Sequence, residues 1–293
     1  MEGQGAGKSV WDVPGLEAYH GQEIYLTEAL AIEAARAIQD AVKQNEPFFI
    51  NFAPYAVHVP IMANEKLLPH YPDIDPNEAA YATMIETMDA ALGSILDQLE
   101  SLGVADQTAV IFSSDNGGLS AHARGRAPDG KTAHTHNAPL RSGKGSCYEG
   151  GTRVPTIIAW PGITRETRSC HIPIITHDLF PTILSMAGVE IPEDYAPLVE
   201  GRDLTPLLKE EPGFEEKRAL YWHQPHQWGA SGPGIAPFTS ILHEGWKLIY
   251  FHADCSFELY NLAKDVGETR NLVNEEAERV RRLAALLDQW IRK

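Results

Sequence analysis

The chain is poor in cysteine, in basic residues and in long apolar runs, and each shortage closes off a class of function. Three cysteines, odd in number and unevenly spaced, make neither a disulfide framework nor a C-x-x-C pair for zinc. With 24 Lys and Arg against 40 Asp and Glu, the formal net charge is −16. That balance repels polyphosphates and anionic bilayers, so no nucleic acid and no membrane are expected as partners. No apolar run approaches the ~20 residues of a membrane span. The opening MEGQGAGKSVWDVPG has no apolar signal core, which leaves localisation open. Its GAGKS lacks the earlier glycine of a phosphate-binding loop, because Glu2 stands there and no strand precedes it. Residues 1–20 therefore read as a flexible tail. Internal repeats and low-complexity tracts are absent.

What is present is an alternation of strand and helix patterns. Residues 27–44 place Leu30, Ala34, Ile38 and Ala41 on one helical face, with Thr27 as a cap. PFFINFAP (47–54) reads as a short apolar strand. Residues 76–102 form a long helix, opened by Asp75 and Glu78 at capping-box spacing and stopped by Gly103. TAVIFSSD (108–115) reads as a strand buried on both faces, and VPTIIAWPG (154–162) as another. THDLFPTILSMAG (176–188) is a helix capped by Thr176 or Asp178. This order predicts an α/β fold with a doubly wound, mainly parallel sheet over residues 21–214. From about residue 215 the texture changes to four short strand candidates and a closing helix apolar at Val280, Leu283, Leu287 and Ile291. That part, 215–293, reads as a small C-terminal antiparallel sheet plus helix.

Ligands of doubly wound sheets bind beyond the carboxyl ends of the strands. Asp115 and Asn116, in IFSSDNGG, supply hard oxygen donors of the kind calcium takes, although both residues are equally at home capping a turn. His58, in YAVHVP, follows the strand candidate 47–54 as a packed structural histidine or as a proton donor or anion contact. In RSGKGSCYEGGTRVP, Lys144 lies between Gly143 and Gly145, where the backbone can approach a ligand and the ammonium can meet an oxyanion. Glu149 could hold Lys144 or Arg153. His122, His134 and His136 lie in the long polar loop 116–151, and His223 and His226 in YWHQPH. No acidic or cysteine partner sits at a zinc-ligand offset, so these histidines read as pocket lining rather than a metal site.

Together, VIFSSDNGG, PLRSGKGSCYEGGTRVPTIIAWPG, PFFINFAPYAVHVP, HDLFPTILSMAG and WKLIYF…ELYNLAKDVGETRNLV resemble the sulfatase family of the alkaline phosphatase superfamily. The resemblance runs from about Tyr25 to the end, and is strongest to bacterial enzymes acting on carbohydrate sulfates. It implies calcium at the base of a pocket, a formylglycine nucleophile made from a C/S-x-P-x-R motif, and cationic side chains on the sulfate. By position, Asp115 and Asn116 match the family's second pair of calcium ligands. His58 matches the histidine on the sulfate ester, and Lys144 the lysine on a sulfate oxygen. His134, His136, His223 and His226 are offered as substrate contacts without a motif match. The expected partner is a sulfated small molecule or glycan.

The departure from the family is as specific as the likeness. None of Cys147, Cys170 and Cys255, and no serine, begins C/S-x-P-x-R, so the formylglycine is absent from these residues. The family's N-terminal aspartate pair and its Lys-x-His contact are absent too. The expectation is an N-terminally truncated sulfatase, inactive alone, holding calcium weakly or not at all. An exposed sheet edge would then favour self-association or a rearranged amino end. Two other functions stay open: a non-catalytic binding or structural module, and a hydrolase of other esters using Ser146.

Overall fold

The computed structural model describes residues 9–125, 134–165, 168–212, 214 and 217–292. The chain divides into two compact units, Met1–Ala109 and Val110–Lys293.

The first unit is built on two contacting helices, α1 (Leu26–Gln44) and α2 (Pro76–Ser101). Helix α1 starts two residues earlier than Thr27 as its cap would have it. Tyr25 is the N-cap, its amide donating to Glu28 Oε2 at 3.3 Å, while Thr27 is buried. The chain leaves α1 through Asn45 at φ 54°, the left-handed conformation that asparagine tolerates. Helix α2 begins as its sequence indicates, with Asp75 Oδ1 accepting from the amides of Asn77 and Glu78 at 3.0 and 3.3 Å. Buried Asn64 ties the connecting loop to both helices, donating to Glu28 Oε1 at 3.1 Å and to Thr87 Oγ1 at 3.0 Å.

Two expectations fail in this unit. The expected tail is packed from residue 9 onward; its first eight residues lie outside the described set. Val10, Leu16 and Tyr19 form a buried cluster with Leu26 and Ala29, and the Tyr19 hydroxyl donates to Glu33 Oε1 at 2.6 Å. PFFINFAP is not a strand. It has no hydrogen-bonded partner strand among the described residues, and Phe49 is 71% exposed. Apolar composition marks a segment as able to join a sheet; only a neighbouring strand makes it one.

The second unit opens with β1 (Val110–Phe112), followed by the short helices α3 (Ala121–Arg124) and α4 (Glu149–Thr152), then β2 (Ile157–Ala159). Strands β1 and β2 pair antiparallel, Ile111 opposite Ile158. The described residues therefore contain no parallel sheet, contrary to the doubly wound expectation. β1 is half-buried rather than enclosed, because β2 is its only partner strand among the described residues.

Helices α5 (Leu179–Met186) and α6 (Thr205–Leu208) come next. Asp178, just before α5, does not cap it with its side chain. Its carboxylate is fully buried, accepting from the Arg202 amide and the Arg218 guanidinium. That ion pair crosses the boundary expected near residue 214, and helps explain why 110–293 forms one unit.

The C-terminal pattern is as read. Strands β3 (Leu220–Gln224), β4 (Phe238–His243), β5 (Trp246–Phe251) and β6 (Ser256–Asn261) form an antiparallel meander in that order. Helix α7 (Ala277–Ile291) covers one face, where Leu283 and Leu287 meet Ile241, Leu248 and Leu259. Alternation sends Phe238, Ile249 and Tyr260 to the other face, against Cys147 and Tyr148. The meander thus forms the floor on which the glycine-rich segment carrying Lys144 rests.

Candidate functional site

The segment 143–151 and the turn after β1 are interlocked through their backbones. Gly117 N–H donates to Gly151 O at 3.0 Å, and Lys144 N–H donates to Gly118 O at 2.9 Å. Asn137 Nδ2 bridges the carbonyls of Gly118 (3.0 Å) and Ser142 (2.9 Å). A Cβ at Gly117 would collide with the Gly150 carbonyl, and one at Gly151 with the Ser146 carbonyl. Gly117, Gly150 and Gly151 are there because main chain passes against main chain, whereas Gly118 and Gly145 make room for the side chains of Asn137 and Trp228.

This lock places Asp115, Asn116 and Lys144 on one cleft of about 1440 Å³, which Ser113, Thr156, Trp222 and Trp228 also line. Asp115 is exposed. Asn116 donates its amide nitrogen to Gly117 O at 3.1 Å, which directs Oδ1 elsewhere as an acceptor. Two oxygens suit calcium in kind but fall short of the six to eight it takes. Among the described residues no group of three His, Cys, Asp or Glu is arranged to hold a metal.

Lys144 has no carboxylate partner among the described residues. Glu149 is engaged elsewhere: its Oε1 accepts from Lys247 Nζ at 2.9 Å, and its Oε2 lies 3.6 Å from Arg153. Lys247 is fully buried and also lies 3.2 Å from Glu268 Oε1. Glu268 Oε2 accepts from the Glu149 amide at 2.6 Å. Burial pushes the Glu268 carboxyl up to about 7, even though Lys247 opposes the shift. Beside it, Arg141 donates to Tyr260 Oη at 3.0 Å and stacks 3.8 Å over Tyr148, while Glu258 accepts from both tyrosines. These buried charges fix the loop from beneath and leave the Lys144 ammonium to the cleft. Sequence reasoning missed Lys247, Glu268, Arg141 and Glu258; a lysine inside the strand WKLIYF was the one available signal.

The histidines separate into four places. His122, His134 and His136 gather at the edge of the segment bearing Lys144. Ser120 Oγ lies 3.3 Å from His134 Nδ1 and 3.5 Å from His136 Nδ1. His122 stacks 6.3 Å from His134 and meets the Trp228 ring edge-on at 5.3 Å. Burial holds His122 below the usual histidine range, helped by His134, Lys144 and His136; burial alone lowers His134. His223 is elsewhere. Its Nδ1 lies 2.8 Å from Thr239 Oγ1 and its ring packs edge-on to Trp290 of α7, on the sheet face away from Cys147 and Tyr148. It is an exposed residue of that face and is not among the residues that line the cleft. His226 is exposed in the loop after β3. His58 belongs to the first unit, where it is exposed, with Nδ1 2.9 Å from Val59 O.

Ser146 cannot serve as a nucleophile as placed. It is buried, and its hydroxyl donates to Pro233 O at 2.8 Å while accepting from Tyr148 N–H at 3.1 Å. The ester hydrolase built on Ser146 therefore loses its attacking group.

Comparison with known proteins agrees with the motifs. The sulfatase family model matches residues 2–189, and that of the N-sulphoglucosamine sulphohydrolase C-terminal region matches 143–293. A sulfatase of Formosa agariphila is 34% identical over 272 residues, covering 87% of this chain and 47% of that protein. Rat steryl-sulfatase is 32% identical over 228 residues, covering 77% of this chain and 36% of that protein. The chain thus spans less than half the length of either relative. The solved structure of Ps i-CgsB in complex with k-i-k-neocarrahexaose superposes with a TM-score of 0.77 at 25% identity, over 92% of this chain and 56% of that one. The interlocked SDNGG and GKGSCYEGG segments, the matched models and the shared sulfatase-like α/β fold lead to one conclusion: this chain belongs to the sulfatase family.

Proposed function

We propose that this chain carries the anion-binding part of a pocket that hydrolyses sulfate esters, with sulfated carbohydrates as the substrate class. The observation that carries this reading is Lys144, an ammonium held at a cleft with Asp115 and Asn116 and without a carboxylate partner among the described residues. A sulfate ester presents oxygens that need such a cation, and a fixed one strengthens its hold as charge shifts toward the leaving oxygen. Bound calcium would add Lewis acidity at the same oxygens, with Asp115 and Asn116 as two of its ligands. No step is assigned to a formylglycine, because no residue here stands in its motif.

His58 is proposed as the group that protonates the departing alcohol, on its match to the family pattern. His134, His136 and His226 are proposed as sugar contacts. The likeness to Ps i-CgsB, a protein solved with a neocarrahexaose, supports a carbohydrate. A second reading, a non-catalytic binding module, is favoured by the missing C/S-x-P-x-R motif alone. Sulfate release from an aryl sulfate or a sulfated oligosaccharide, measured with calcium on this chain joined to a segment that carries the C/S-x-P-x-R motif, separates the two. Turnover that Lys144→Ala and His58→Ala each abolish supports the first reading. Binding without turnover supports the second, and turnover unchanged in both variants overturns the site.

A further inference from the structure

The cleft that holds Lys144 is also lined by an indole and an amide, Trp228 and Gln224. Neither side chain is ionisable, so the cleft has a neutral side as well as a cationic one.

Trp228 is held against the segment that carries Lys144. Its six-membered ring lies so close to Gly145 that a Cβ there would collide with it. His122 meets the same indole edge-on, with ring centroids 5.3 Å apart. The loop between β3 and β4 is fastened on both sides of Trp228. Gln227 Nε2 donates to Trp228 O at 3.1 Å. The Ser146 hydroxyl donates to Pro233 O at 2.8 Å, and the Cys147 amide to Gly234 O at 3.0 Å. The half-buried indole thus keeps a fixed place beside the lysine while still lining the cleft.

Gln224 comes from β3, two residues after Trp222 and so on the same face of the strand. Trp222 packs on the cluster that contains Cys147 and Tyr148, which turns this face toward the segment bearing Lys144. The Gln224 Nε2 atom is buried and has no hydrogen-bond partner among the described residues. Its cross-strand neighbour is Phe238, whose side chain offers no acceptor. A buried amide donor without an acceptor costs stability, and it is retained where a ligand supplies the acceptor.

The chemistry of the pair is that of a sugar ring. The face of an indole is negative and attracts the C–H groups along one side of a pyranose, whereas it repels a sulfate or carboxylate. An amide N–H donates to a hydroxyl or ring oxygen. We propose that Trp228 and Gln224 form the subsite for the sugar ring that carries the sulfate. The indole lies against the C–H side of that ring, Gln224 Nε2 donates to one of its hydroxyls, and Lys144 holds the sulfate. This rests on the sulfate-ester reading and deepens it, because the pair selects a pyranose over a plain alkyl group.

The test is one of binding and needs no nucleophile. NMR titrations compare inorganic sulfate, methyl sulfate, cyclohexylmethyl sulfate and galactose sulfated at its primary hydroxyl. Affinity ratios are read within each protein, so that any change at Lys144 cancels. In the wild-type chain the sulfated galactose should bind at least about fivefold more tightly than methyl sulfate. Trp228→Ala should bring those two to within about twofold. Gln224→Leu should shift the ratio of sulfated galactose to cyclohexylmethyl sulfate at least about fivefold toward the cyclohexyl compound. Equal wild-type affinities for sulfated galactose and methyl sulfate overturn the subsite and leave the sulfate-ester reading intact, as do ratios unmoved in both variants. Failure of all four compounds to bind overturns both. Should a variant fail to fold, the wild-type chain decides. Saturation transfer from indole protons to the C–H protons of the sulfated galactose supports the subsite, and its absence while inorganic sulfate binds overturns it.

Discussion

Lys247 Nζ lies 2.9 Å from Glu149 Oε1 inside the second unit, so the glutamate nearest Lys144 in sequence serves a different lysine. Two buried carboxylates share the one buried ammonium, Glu268 being the other. Lys247→Met removes the charge and keeps the length. Removing one partner from a buried ionic group costs roughly 3–5 kcal/mol, and that loss is expected in urea unfolding. A loss below about 1 kcal/mol would show that the cluster does not hold the loop.

The same cluster makes stability depend on pH. Burial raises the Glu268 carboxyl from 4.5 to about 7, so between those values the folded protein binds a proton that the unfolded chain has released. The contribution is complete below the lower value and is lost as pH rises through the upper one. Going from pH 6 to pH 8 should cost roughly 1 kcal/mol by this group alone. Glu268→Gln should remove that part of the slope, read as the difference between the wild-type and variant unfolding curves at the two pH values.

Two glycine substitutions should behave oppositely. Gly117→Ala drives a methyl into the Gly150 carbonyl, whereas Gly93→Ala on α2 meets nothing within 4 Å. The first should destabilise by about 2 kcal/mol or more. The second should stabilise by up to roughly 1 kcal/mol, because alanine suits a helix interior. Thermal melts of the pair distinguish a backbone interlock from a general intolerance of change.

Exposed apolar surface implies association. Ile157 on the two-stranded sheet is 63% exposed and Phe49 is 71% exposed. Large apolar side chains exposed in this way, Ile157 on a two-stranded sheet among them, attract a second copy of the chain. Light scattering at micromolar concentration should show species larger than a monomer, reduced by Ile157→Lys and by Phe49→Lys. A monodisperse monomer that binds no apolar dye would contradict this.

The legible parts of the sequence were those with local causes. The Asp75 cap, the Gly103 stop and the meander of four strands each follow from residues a few positions apart. The site motifs were legible too, because their glycines sit at fixed spacing. What escaped depended on partners far along the chain. Lys247 finds Glu149 98 residues away, and nothing local marks either as buried. PFFINFAP had the composition of a strand without a neighbour to pair with. His223 was legible and misread: strand alternation puts it with Tyr221 and opposite Trp222, which lines the cleft.

The central claim is that Lys144 is the sulfate-binding cation of this pocket, and binding of inorganic sulfate tests it most directly. Calorimetric titration of the chain with sodium sulfate, at low ionic strength and with calcium present, should show saturable binding that weakens at least about tenfold in Lys144→Ala, the scale of one charge-assisted contact. Equal affinity in the variant and the wild-type protein, or no saturable binding to either, would contradict the account.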